Sequence, residues 1–318
     1  VNFGYGTLLS TIAPIFLVVA AGAVARWRGF LPAVTDQPFL RLNMLLLYPC
    51  LVFNYTLGNA ALMSARGLLG APLVGFGVTL GSILLGYTAA RALGLPGVSR
   101  RTFAFCTGIN NYGYIPVPLS LLIFKNATTT GVVLVYGVGV EVAIWTVGVL
   151  LLAGEWHVQQ LRRLLNPPVI CLALAIALNL SGASNHLPGP VQVTLRMLGA
   201  TAIPFGLLLI GSILCDLAKR ARWLAEWRAP VAGLALRLGL LPVALLALAA
   251  CLPASWLEVK RVLVLEAAMP CGIFPIVIVN YYQGDASLAL RLVLTTTLAG
   301  LVAIPLWLTE GLQWLKLG

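Results

Sequence analysis

Apolar stretches long enough to cross a membrane follow one another along almost the whole chain, separated by short polar breaks. Crossing a hydrocarbon core of roughly 30 Å takes about 20 helical residues. Stretches of that kind are read at 7–25, 42–58, 68–90, 102–124, 131–153, 167–184, 197–214, 229–251, 262–282 and 292–309. The pattern predicts an all-α integral membrane protein with ten transmembrane helices, numbered segments 1–10 in order. Residues 154–166, the longest polar stretch, read as a cytoplasmic linker rather than a soluble domain. Segment 1 has no basic residue before it and residues 1–9 carry no charge, so it is read as a true span and not a cleaved signal peptide.

The prolines that punctuate this pattern recur. Pro14 and Pro168 lie 154 residues apart (168 − 14), Pro32 and Pro188 156, Pro49 and Pro204 155, Pro72 and Pro230 158, Pro96 and Pro253 157, and Pro116 and Pro275 159. An ordered ladder with so little drift predicts an internal repeat: residues 1–153 as a first five-helix unit and 167–318 as a second. Internal repeats with interrupted apolar segments are a common plan of secondary transporters.

Composition supports a lipid environment. The chain is 60% hydrophobic and 9% charged over 318 residues, where a soluble domain has about a quarter charged. A net charge of +11 would suit a nucleic acid, but the basic residues sit in short loops, where they set orientation in the bilayer. Loops after the odd segments hold 13 Lys or Arg: Arg26, Arg28, Arg41, Arg91, Arg100, Arg101, Arg162, Arg163, Lys219, Arg220, Arg222, Arg228 and Arg291. The other side holds 6: Arg66, Lys125, Arg196, Lys260, Arg261 and Lys316. The bias puts the odd loops in the cytoplasm and both termini on the extracytoplasmic side of the cell membrane. Because five is odd, the second unit then crosses in the opposite sense, and the repeat is inverted.

Two segments are interrupted at matching places. Segment 4 carries Asn110, Asn111, Tyr112, Gly113, Pro116 and Pro118, and segment 9 carries Pro270, Cys271, Gly272 and Pro275. One reading is that these prolines only kink the helices. The other is that each break leaves half-helix ends inside the membrane, where N-terminal dipoles hold an anion and freed carbonyls a cation. Three ionisable residues lie within segments: Glu141, Arg237 and Glu266. Such groups are costly in lipid and mark ion or substrate paths, or else pair with one another. Arg237 with Glu266 or Glu141 would make an ion pair and leave one carboxylate over as a candidate proton site. Trp27, Trp156, Trp223, Trp227, Trp256 and Trp314 fall near segment ends, as interfacial anchors do.

Six scattered cysteines without a C-x-x-C spacing argue against disulfides and metal sites. The histidines, His157 and His186, fall in loops on opposite predicted sides, and Gly-x-Ser-x-Gly and His-Glu-x-x-His patterns are missing. No enzyme activity, cofactor or nucleic-acid partner is expected.

The run Asn111-Tyr-Gly-Tyr-Ile-Pro-Val-Pro118 resembles the Asn-Thr-Gly-x-x-Gly-x-Pro of the fourth span in the auxin efflux carrier family, the PIN-like transporters and their bacterial homologues. Ala267-Ala-Met-Pro270, Tyr282-Gln-Gly-Asp285 and Thr295-Thr-Thr297 are similar to that family's last two spans. Asn166-Pro-Pro-Val-Ile170, Ile203-Pro204 and Leu209-Ile-Gly-Ser-Ile-Leu214 match its sixth and seventh. Tyr112 and Pro116 depart from it, standing where a small Thr and a Gly are often found.

The resemblance implies two inverted five-helix repeats with broken, crossing helices 4 and 9. Segments 1, 2, 6 and 7 would form a scaffold, and 3–5 with 8–10 a transport domain that moves as an elevator, within a homodimer. The substrate implied is a small organic anion, a carboxylate of the auxin, malonate or malate kind, at the residues of the two breaks. Glu141, Arg237 and Glu266 would serve coupling, with a proton, a sodium ion or no ion at all. A membrane sensor that binds a ligand at the same place without transport is the alternative.

Overall fold

The computed structural model describes residues 4–154, 162, 164–220 and 227–317. Trp156, His157, Arg163, Arg222 and Trp223 lie outside the described residues. Apart from short 3-10 turns, twelve helices are described when π turns are counted with the helices that contain them. They are α1 (Tyr5–Trp27), α2 (36–56), α3 (Arg66–Ala92), α4 (Gly97–Gly108), α5 (Pro116–Phe124), α6 (Ala127–Ala153), α7 (Pro167–Leu180), α8 (Gly189–Arg220), α9 (Arg228–Cys251), α10 (Leu257–Ala267), α11 (Phe274–Tyr281) and α12 (Ala286–Trp314).

Six of these, α1, α3, α6, α8, α9 and α12, are long and apolar enough to span a membrane. The other four of the ten expected segments are shorter or divided. Segment 2 is the latter part of α2, whose first two turns carry Asp36 and Arg41. Segment 6 is the 14-residue α7. Segments 4 and 9 are each divided into two half-helices, α4 with α5 and α10 with α11.

The proline ladder maps onto this framework in five of its six pairs. Pro32 and Pro188 precede helical turns, Pro49 and Pro204 lie inside α2 and α8, and Pro72 and Pro230 lie in the opening turns of α3 and α9. Pro96 and Pro253 are N-caps, and Pro116 and Pro275 open half-helices. Pro14 with Pro168 is the exception, since Pro14 is inside α1 whereas Pro168 starts α7. Three of the π turns, Asn43–Leu47, Arg66–Gly70 and Leu236–Leu240, end two residues before a proline: Pro49, Pro72 and Pro242. A proline cannot donate to the carbonyl four residues back and crowds it, and a wider turn relieves both.

Helices α1, α2, α7 and α8 pack on one another: α8 lies along α1 and α2, and α2 along α7. The rest form a second group around α3, α6, α4, α9, α10 and α12. Contacts between the groups are fewer, chiefly α1 with α12 and α2 with α6. Each group has a crossing where backbones touch through paired glycines. A Cβ on Gly22 would meet the Leu208 carbonyl at 2.0 Å and one on Gly211 the Val19 carbonyl at 1.8 Å, which joins α1 to α8. Gly75 against Tyr136 and Gly139 against Pro72 do the same for α3 and α6. Small residues that let backbones approach are the usual means of helix association in lipid.

Two arginines counted as loop charges are buried in helices. Arg26, in the last turn of α1, meets Asp36, Asp216 at 3.5 Å and Ser212 at 3.2 Å. Arg291 lies in the second turn of α12 and is 4% exposed. Without them the charge bias keeps its direction, 13 − 2 = 11 against 6. Trp27, Trp227 and Trp314 are exposed at helix ends, while the Trp256 ring packs against Gly70.

Candidate functional site

The first break runs over 109–115 and the second over 268–273. Pro116 is the first residue of α5 and Pro275 the second of α11. At those positions a missing N–H costs no helical bond and the fixed φ suits a helix start. Pro118 likewise lies in the first turn of α5, so among the prolines singled out only Pro270 lies within a break. The two breaks run antiparallel and bond to each other. Asn111 N–H donates to the Pro270 carbonyl (2.9 Å), Gly272 N–H donates to the Ile109 carbonyl (3.0 Å), and Asn110 lies opposite Cys271. Backbone groups stranded by the interruptions thus find partners, which the membrane interior requires. A Cβ on Gly272 would come within 2.9 Å of the Asn110 carbonyl, so this approach needs glycine.

Side chains complete the crossing. Arg237, 1% exposed on the π turn of α9, donates from Nε to the Met269 carbonyl (2.8 Å) and from Nη2 to the Glu266 carbonyl (3.0 Å). It therefore caps the carbonyl end of α10, where a positive charge opposes the negative end of the dipole. Glu266 is fully buried, and its Oε2 accepts from the Asn110 amide. The bonds of Arg237 to Glu266 go to its main chain, giving a guanidinium–carbonyl cap beside an amide–carboxylate bond between the breaks. Thr296 of α12 accepts from the Cys271 N–H (3.2 Å), and Trp307 of α12 donates to the Leu238 carbonyl in the π turn (2.7 Å).

Glu141 stands apart from that cluster. It lines a cavity of about 30 Å³ with Tyr48 and Val52 of α2, Tyr112 of the first break, Val133, Leu134, Gly137 and Val138 of α6, and Pro168, Val169 and Leu172 of α7. That is room for about one or two waters. Glu141 Oε2 accepts from Asn166 Nδ2 (2.6 Å), and Tyr112 lines the same cavity. Asn166 is also the N-cap of α7, its Oδ1 accepting from Val169 N–H (3.0 Å). The Tyr112 ring rests on Gly137, where a Cβ would meet it at 3.2 Å. Tyr114 crosses to the other group, where its hydroxyl accepts from Asn43 of α2 (3.2 Å). Gly113 lies under the Tyr48 hydroxyl, 2.9 Å from where a Cβ would be.

The break residues from both segments therefore meet, Arg237 and Glu266 join them, and Glu141 faces a neighbouring cavity. The Asn111 side-chain amide has no protein partner among the described residues, though the residue is only 8% exposed. Asn166, Tyr48 and Thr296 were not among the expected site residues. Asn166-Pro-Pro signals a helix start, but nothing local says which carboxylate its amide meets.

A family model described as Membrane transport protein matches residues 7–308, and thus both breaks and their helices. The chain belongs to the Membrane transport protein family. This is the auxin efflux carrier family that the motifs around Asn111 and Pro270 resemble. As a member it is a multi-pass membrane transporter, and the apolar helices agree. A search of the curated proteins matched none of them.

Proposed function

We propose that this Membrane transport protein carries a small organic anion, a carboxylate of the auxin, malonate or malate kind, by moving the crossing of the two breaks across the cell membrane. The observation that carries the reading is an unpartnered amide, Asn111, beside two breaks at which α5 and α11 begin and α4 and α10 end. The N-terminal ends of α5 and α11 turn positive dipole ends toward an anion, although Pro116, Pro118 and Pro275 bring no N–H and the Val117 and Leu119 N–H groups bond to the Gly113 and Ile115 carbonyls. Asn110, Tyr112, Gly113, Pro116 and Pro118 would line one side of the anion's place at the crossing, and Pro270, Cys271, Gly272 and Pro275 the other. Arg237 supplies a fixed cation at the carbonyl end of α10, where a coupling cation would otherwise sit.

The ten segments form two inverted five-helix repeats, 1–153 and 167–318, with the crossing helices as segments 4 and 9. The packing of α1, α2, α7 and α8 on one another supports a scaffold of segments 1, 2, 6 and 7. The remaining helices then move as an elevator, in a homodimer. With the cytoplasm negative, the potential contributes about 2.3 kcal/mol per charge per 100 mV, enough to drive export of an anion without a coupling ion.

Flux of indole-3-acetate, malonate and malate in proteoliposomes tests this reading. Asn111→Ala and Gly113→Leu should each lower the rate at least tenfold. Arg237→Ala should make the residual flux depend on sodium or pH. Wild-type rates in both break variants would rule the site out, and saturable binding without flux would make the protein a sensor.

A further inference from the structure

Glu141 is half-buried where the two helix groups meet. It belongs to α6, while the amide that it holds belongs to Asn166 at the start of α7. Asn166 cannot turn freely, because its oxygen is committed to the Val169 N–H. Tyr112 of the first break lines the same cavity. One side chain on α6 therefore ties its group to the start of α7, beside the break.

We propose that Glu141 is a proton-binding latch: ionised, it holds Asn166 and keeps the two helix groups together, and protonated, it releases α7. The proposal rests on the reading that these groups move relative to each other. Hydrogen bonds to an ionised carboxylate are about twice as strong as neutral ones, so adding a proton weakens the tie to Asn166. Release on Glu141 would free Asn166 to remain a helix cap, at no cost to α7.

The surroundings suit a proton rather than a metal ion or a fixed ion pair. From α2 the titratable group facing Glu141 is Tyr48, and from the first break it is Tyr112. From α7 the neutral Asn166 reaches it, with Pro168, Val169 and Leu172 behind. Among the described residues no Lys or Arg lines the cavity, and α3, α5 and α10 contribute no charged side chain to it. Among them the neutral Asn166 amide holds the carboxylate, and the cavity of about 30 Å³ has room for a water to bring the proton.

The test is the distance between spin labels at Leu85→Cys on α3 and Leu174→Cys on α7, both lipid-exposed positions. The full chain is placed in lipid nanodiscs, without substrate, with the accessible Cys171, Cys215 and Cys251 replaced by Ser. The wild-type background should give one narrow distance at pH 8 and a second population, raised at least fivefold, at pH 5. Glu141→Gln should show the second population at both pH values, Glu141→Asp should keep a pH response, and Asn166→Ala should lose it. Distances that do not change with pH in the wild-type background, or a Glu141→Gln protein that responds as the wild type does, would overturn the latch. Should Glu141→Gln not fold, Asn166→Ala decides by the same criterion. Because no anion is present, a pH-dependent distance in a protein that carries no carboxylate would sink the anion reading and leave the latch standing.

Discussion

Arg237 is the residue whose surroundings most change its meaning. A guanidinium in lipid is costly unless its donors are engaged, and here two of them reach the carbonyls of Met269 and Glu266 at the end of a half-helix. Removing it strands the Met269 carbonyl, at a cost of roughly 1–3 kcal/mol for a buried unsatisfied group, while the Glu266 carbonyl keeps the Met269 N–H at 3.2 Å. Arg237→Met should therefore lower the thermal midpoint in detergent markedly, with Arg237→Lys in between because an ammonium lacks the planar fork. Equal midpoints for all three proteins, by scanning fluorimetry, would remove the cap from the account. The presence of Arg237, Glu141 and Glu266 inside apolar segments was legible from the sequence. Their grouping was not: a count of one base and two acids suggested a pair, whereas the folded chain sets Glu141 beside Asn166 and gives Glu266 to Asn110. Hydropathy reports that a charge is buried but carries no information on which face of which helix will oppose it.

At the scale of elements, glycine and proline mark different events. Gly139 and Gly211 lie where a Cβ would sit 1.8 Å from a carbonyl oxygen of the neighbouring helix, while Gly77 and Gly81 have nothing within 4 Å. Overpacking of a tight contact costs roughly 1–3 kcal/mol. Gly139→Ala and Gly211→Ala should accordingly reduce unfolding midpoints, and Gly77→Ala and Gly81→Ala should leave them unchanged or slightly raised. A uniform response across the four would contradict the crossings. Prolines gave a reading closer to the outcome, because their effect is local: the missing N–H sets a helix start or widens a turn wherever it falls. Even so, the break in segment 4 spans 109–115, before Pro116 and Pro118, since a proline opens the next half-helix more readily than it sits in the gap.

The whole molecule is two helix groups that meet at Tyr114, Glu141 and the α1–α12 contact. Inversion of the two repeats is a statement about sidedness, and equivalent positions should then face opposite compartments. Val98 and Ser255 are exposed and lie 157 residues apart (255 − 98), the spacing of Pro96 and Pro253. In intact cells a membrane-impermeant maleimide should label Ser255→Cys from outside and Val98→Cys only after permeabilisation. Labelling of both from one side would refute the inversion.

The sequence by itself determined the solvent, the helical class, the interrupted segments and the family, because each depends on composition or on patterns within a few turns of helix. Only the tertiary structure decided which polar groups meet. Asn110 and Glu266 are 156 residues apart in the chain, and Glu141 and Asn166 are on different helices. Membrane burial favours a partner for each such group, but helix packing, set here by glycine crossings and widened turns, selects it.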